Sequence, residues 1–301
     1  MIKNHEMEVL SKHNVIGRFH PDSVEEYFEL FGDTFKSEKV QQGTDSYLRM
    51  IVNSSMALVM PELYLHGPSP LVKLCLKRAQ QASTAHFQLL MQAGKPVEIE
   101  LDERKMSIVG VNRGVHTDAN YWFKAIALAI IQRNRVAINS LCEVTDELHK
   151  TDELGSDEFD NELARVYKVI FAGGNLAEQM VKAAALFIPD SFDKDRFIYT
   201  SQILWPQVSI LRTIFTGDAE AEFNQKMEEA LLLTQKYWLE TSSTHWEGSF
   251  PIFLIALTIL AKDHAGYTLT VPNEYIPDWV VKGDIAVDYE EARAYVKSAI
   301  G

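Results

Sequence analysis

The stretch Phe250–Ala261, FPIFLIALTILA, is twelve residues without a charge, closely bracketed by Glu247 and Lys262. A bilayer-spanning helix needs about 20 consecutive apolar residues. The run is too short for that, so the rest of the chain has to bury it. It reads as a core helix, and a helix that is apolar all round needs other elements on every side. Nearly every other long segment repeats its apolar residues at spacings of three and four. Together these features predict a predominantly all-α protein: a multi-helix, bundle-like body.

Local signals place the helices. Pro21–Asp22–Ser23 offers a cap before VEEYFELF. Ser69–Pro70 is a helix start with proline at the first helical position. Behind it, Leu71, Leu74, Cys75, Ala79, Ala82, Ala85, His86 and Leu89 mark one stripe, ended by Gly94 and Pro96. Thr117 or Asp118 opens NYWFKAIALAIIQRN, apolar nearly all round and therefore placed in the core. A further helix is expected over RVAINSLCEVTDELHK after a tight break near Arg133–Asn134. Asp157–Ala172 and Asn175–Phe187 follow, separated by Gly173–Gly174. Pro189–Asp190 and Pro206 are expected to interrupt the next stretch. Asp218 is the expected cap of a helix running to Glu240, with Glu220 and Glu222 in its first turn. Phe223, Met227 and Leu231 form one stripe of that helix, and Ala230, Thr234 and Trp238 a neighbouring one.

One segment changes period. PVEIELDERKMSIVGV alternates at Val97, Ile99 and Leu101 and again at Met106 and Ile108. This predicts a β-hairpin near residues 96–110, with DERK turning the chain. TLTV (Thr268–Val271) reads as a short strand. No linker or low-complexity tract divides the chain. The organisation is either one helical domain over 1–301 or two packed halves, 1–115 and 116–301.

Composition narrows the function. The net charge of −13 argues against a general nucleic-acid binder, which would show basic patches. It suits a protein with a basic partner. The two cysteines, Cys75 and Cys142, form no CxxC and no disulfide framework. With no apolar leader segment at the N-terminus, a reducing cytoplasm is the expected compartment and no membrane association is expected.

Motifs for chemistry fail on spacing. None of the nine histidines pairs with another at zinc-ligand spacing. GVNRG (Gly110–Gly114) and FAGGN (Phe171–Asn175) lack the lysine and hydroxyl of a phosphate loop. GPSPL at Gly67 fails as a nucleophile elbow at its last position. The carboxylates of Asp190–Asp195, DSFDKD, read as a cap or turn after proline rather than as a metal site. No catalytic residue, no metal and no cofactor is expected.

The strongest anomaly is Asp146–Glu162, DELHKTDELGSDEFDNE. Asp146, Glu147, Asp152, Glu153, Asp157, Glu158, Asp160 and Glu162 face one lysine, a local charge of −7. Such a run is most often a solvated loop between helices. It is also the best candidate for a partner-binding surface, since an acidic patch speeds association with a basic partner and disfavours wrong ones.

The C-terminal third carries a further pattern. Tyr237–Trp238 closes a long helix. Ser249–Phe250–Pro251 starts the apolar helix, which ends at Asp263 with Gly266 shortly after. A short extended piece then leads to Tyr275–Ile276–Pro277 and a helical turn ending at Gly283. This arrangement, together with YWFKAIALAIIQRNRVAINSLCEV upstream, resembles the immunity protein 49 family of bacterial polymorphic toxin systems over about Asn120–Gly283. One departure stands out: the resemblance leads to Asp–x–Gly after the apolar helix, and this chain has Asp263–His264–Ala265–Gly266. The resemblance implies an all-α protein, not an enzyme, that binds a toxin protein and neutralises it by stoichiometric contact. The net charge adds that the toxin is basic, as a nuclease is; the alternative is a helical scaffold or adaptor without a toxin. The segment VPNEYIPDWVVKG is read as a structural motif. Its Pro272 and Pro277 stop helix continuation, while Tyr275, Ile276 and Trp279 supply apolar area. Tyr237, Trp238 and Pro251 belong to the same packing set.

Overall fold

The computed structural model describes Leu10 and residues 44–111, 117–149, 156–216, 220–242 and 245–300. The expected helix after Pro21–Ser23 and the expected cap at Asp218 lie outside them. The described residues are predominantly helical, with one antiparallel pair of strands. Residues 44–186 with 283–300 form one compact unit, and Leu10 with 187–282 a second.

The first unit is built on two long helices, α1 (Thr44–His66) and α2 (Pro70–Met91), packed on each other. Helix α1, which carries Pro61 in its interior, is not among the elements expected from sequence. Ser69 caps α2 by accepting from the Val72 N–H. The stripe expected on α2 is buried in full, but so are Arg78, Gln80, Gln81, Ser83 and Thr84 on its other faces. It is a central helix, not an amphipathic surface helix. C-terminal to it, Gly110 lies against the helix end. A Cβ there would fall on the carbonyls of Gln92 and Leu89, so only glycine lets the chain return so close.

The hairpin forms as expected, from β1 (Pro96–Leu101) and β2 (Arg104–Val109). Val97 pairs with Ile108 and Ile99 with Met106, so the alternating apolar residues share one face. The turn is tighter than DERK: Arg104 and Lys105 belong to β2, and Asp102 takes a left-handed φ of +54°. Helix α2 holds that turn. Arg78 Nε lies 2.8 and 2.9 Å from the two Asp102 carboxylate oxygens. The Gln81 amide accepts from the Asp102 N–H at 2.8 Å and donates to its C=O at 3.2 Å.

Asp118 caps α3 (Ala119–Ile131), which is buried on nearly every side. Its Trp122 donates from Nε1 to the Leu141 carbonyl at 2.9 Å. The break at Arg133 (φ +48°) and the Asn134 cap lead into α4 (Arg135–Cys142). A short α5 (Asp146–His149) follows, then α6 (Glu158–Ala172) and α7 (Leu176–Leu186). Gly173 and Gly174, at φ +91° and +142°, make the break between the last two.

In the second unit α8 (Lys194–Tyr199) runs through a π turn (Thr200–Leu204) into α9 (Trp205–Thr216). Pro206 lies inside this helix and does not interrupt it, contrary to the sequence reading. A helical proline leaves the carbonyl four residues back without its donor and clashes with it. The π turn resets the ladder just before it, with the Trp205 N–H bonded to the Thr200 carbonyl. Next come α10 (Glu220–Thr241), α11 (Trp246–Ser249) and α12 (Ile252–Leu260). All nine residues of α12 are buried, as its uncharged sequence requires, with α9, α10 and α13 (Asp278–Lys282) packed on it. A second π turn, Ala261–Ala265, carries α12 to Gly266 at φ +74°. The last helix, α14 (Tyr289–Ile300), returns to the first unit and packs on α2.

The segment TLTV is not a strand. It runs extended along α10, and side chains stand in for a neighbouring strand. Asn224 donates to the Thr268 carbonyl at 3.0 Å and accepts from the Thr270 N–H at 2.6 Å. Glu220 accepts from the Thr268 N–H at 2.7 Å. Four residues on, the Leu10 backbone makes the same pattern: its N–H donates to the Pro272 carbonyl at 3.0 Å and its carbonyl accepts from the Glu274 N–H at 3.1 Å. An amide bridging O of one residue and N of the residue two on is the bond set of a parallel strand.

Candidate partner-binding surface

The acidic run lies at the start of α5 and α6, and the fold divides its carboxylates between two jobs. Asp157 caps α6 by accepting from the Asp160 N–H at 2.9 Å. Glu158 and Asp160 then fall in the first turn, where the helix dipole favours negative charge. Asp160 is only 2% exposed. Arg165 lies between Asp146 and Glu162 and bonds to both. Glu162 also accepts from Gln179 of α7. Lys168 donates to the Val144 carbonyl at 2.6 Å and sits 3.4 Å from Asp146.

These contacts set the titration. Burial pushes the Asp146 carboxyl up, but the Arg165 hydrogen bond and the charges of Lys168 and Arg165 outweigh it and hold it below the usual carboxylate range. The Lys168 ammonium is lowered because its burial outweighs the pull of Asp146. Asp146, Asp157, Asp160 and Glu162 therefore face their own chain. Glu147 and Glu158 are exposed. Asp152 and Glu153 lie outside the described residues.

The residues of the C-terminal pattern occupy caps and turns. Trp238 is buried and stacks on His245 at 4.6 Å, with the rings 5° apart. Tyr237 is half-buried and meets Tyr199 and Trp238 edge-on, and burial raises its hydroxyl pKa. The Pro251 carbonyl accepts the Ile255 N–H at the head of α12. Tyr275 is 1% exposed. The Asn273 side chain shapes the turn around it, accepting from the N–H groups of Tyr275 and Ile276 at 3.0 and 2.8 Å. The Pro277 carbonyl accepts from Val280 and Val281 and so starts α13, where Trp279 is half-buried.

Between the end of α12, the segment 266–273 and α13 runs a cleft of about 700 Å³. Thr258, Lys262, Tyr267, Leu269, Ile276 and Lys282 are among the residues that line it. Sequence reading missed this cleft. The one available signal was Glu220 and Asn224, polar side chains one helical turn apart that serve a segment more than forty residues away.

Groups suited to covalent chemistry are muted. Burial pushes the Cys75 thiol up to about 12 and raises Cys142 as well, and a thiol needs its anion to act as a nucleophile. Asp193 of DSFDKD caps α8 by accepting from the Arg196 N–H at 2.8 Å. His86 is packed edge-on between Phe87 and Tyr121. Among the described residues no group of three or more His, Cys, Asp or Glu is placed to hold a metal, and no helix is long and apolar enough to cross a membrane.

The family model for Immunity protein 49 matches residues 71–280. No curated protein and no solved structure matches the chain.

Proposed function

The chain belongs to the immunity protein 49 family, and on that premise we propose that it binds a cognate toxin protein and neutralises it by stoichiometric contact. The carrying observation is the match over 71–280, which takes in α2, the hairpin and the helices through to Val280. Neutralisation of this kind needs a complementary surface and no catalysis. The toxin is basic and acts in the cytoplasm, where its antagonist meets it. The net charge of −13 supports that reading, because a nuclease must present cations to phosphates and so attracts an acidic inhibitor. Glu147 and Glu158 are the carboxylates of the acidic run assigned to that encounter, because both are exposed.

A tagged pull-down from the native cell at low salt, with mass spectrometry of what survives a moderate-salt wash, tests this. One partner in equimolar amount, whose isolated domain arrests growth and is silenced by co-expression of this chain, is the expected result. Co-expression that leaves the arrest intact rejects the reading.

A further inference from the structure

The geometry points to the cleft between α12 and α13 as a docking site for an extended peptide segment that carries a carboxylate and pairs with the backbone of Leu269. Resting on the proposed function, that segment belongs to the toxin. Three observations carry the assignment. First, the chain runs extended from Thr268 to Thr270 and then bends at Val271. Its edge toward α10 is taken by the Asn224 amide at Thr268 and Thr270, and beyond the bend Leu10 pairs with Pro272 and Glu274. Successive peptide groups of an extended chain point to opposite edges, so the N–H and C=O of Leu269 point away from α10. Among the described residues they make no hydrogen bond.

Second, Leu269 lines a cleft of about 700 Å³ with no residue of α10 in its wall. There is room for side chains beside the open edge, and this is how strand addition obtains specificity. Third, the charge of the cleft runs against that of the protein. Lys262 reaches the Val281 carbonyl at 3.1 Å, and Lys282 lies 3.0 Å from Asp278 across an exposed pair. Two ammonium groups and one carboxylate leave the cleft net positive in a chain of net charge −13. An incoming carboxylate finds Lys282 held only by an exposed ion pair, which is easily exchanged.

The test is selection of a phage-displayed random dodecapeptide library on the full chain. The expected outcome is enrichment of peptides with β-branched residues around an Asp or Glu, binding at least ten-fold more weakly to K282E and to L269P. Methylating alternate backbone nitrogens of an enriched peptide should weaken it by the same factor, a readout that does not depend on the variants folding. No enrichment, or enriched peptides that tolerate both K282E and N-methylation, overturns the assignment. The two readings fail separately. Selected peptides without any toxin in the pull-down would remove the toxin and leave the cleft. A toxin held equally well by wild type, K282E and L269P would keep the toxin and remove the cleft.

Discussion

Asp102 occupies a left-handed backbone conformation that costs a non-glycine residue about 1 kcal/mol. Arg78 and Gln81 of α2 hold it there through its carboxylate and both its backbone groups. The Arg78 and Asp102 side chains are only 10% and 16% exposed. Removing one partner of a buried pair strands the other, and this is far more damaging than removing both. Arg78→Met should therefore lower stability by about 3 kcal/mol in urea unfolding. Arg78→Met with Asp102→Gly should recover a large part of that, since glycine also relieves the backbone. Asp146 gives a pH signature at the same scale. Its carboxyl is depressed in the folded state by Arg165 and Lys168 despite its burial. Its contribution is thus present above the unfolded value of about 3.9 and is lost as pH falls through the folded value. The stability gap between wild type and Asp146→Asn should be open at neutral pH and narrow progressively as pH falls below about 4. A gap that persists into stronger acid would show that the pair is not what Asp146 supplies.

Elements divide by what decides them. The hairpin and the starts of α2, α3, α4 and α6 were legible because each rests on a local pattern: alternation at Val97–Leu101, or a capping side chain at Ser69, Asp118, Asn134 and Asp157. α12 was legible because a run without charges leaves it no alternative to burial. Pro206 misled because local rules assume an unbroken α ladder, and the π turn before it removes that assumption. Thr268–Val271 was misread because its hydrogen bonds go to side chains of a helix remote in sequence. For the same reason the cleft could not be seen. Asn224→Ala removes two of those bonds and should cost about 1–2 kcal/mol, near the net worth of two hydrogen bonds. Its sharper effect is local. The Thr270 amide should exchange with solvent at least ten times faster, while amides in α12 slow or speed only with global stability. Unchanged exchange at Thr270 would mean that the Asn224 amide is not its partner in solution.

For the whole molecule the question is how a chain of net charge −13 meets its partner when much of its most acidic segment is already committed. Long-range steering depends on the summed field and weakens as salt screens it. Local carboxylates add to it only if they face solvent. The acidic run thus makes two different demands on substitutions. Asp157→Ala removes the α6 cap and should lower stability by about 1 kcal/mol with little change in the association rate. Glu147→Lys with Glu158→Lys alters two exposed positions and should act on the rate as well: losing first-turn negative charge costs stability of about 1 kcal/mol, and association becomes several-fold slower at low salt, converging on wild type as salt rises. Stopped-flow association with the captured toxin, run across ionic strength, separates the two. Equal rates for the charge-reversed and wild-type chains at low salt would remove this segment from the encounter, and the steering would then belong to acids elsewhere on the surface. A rate that rises on charge reversal would identify the partner as acidic and overturn the basic-toxin reading, while leaving the family membership untouched.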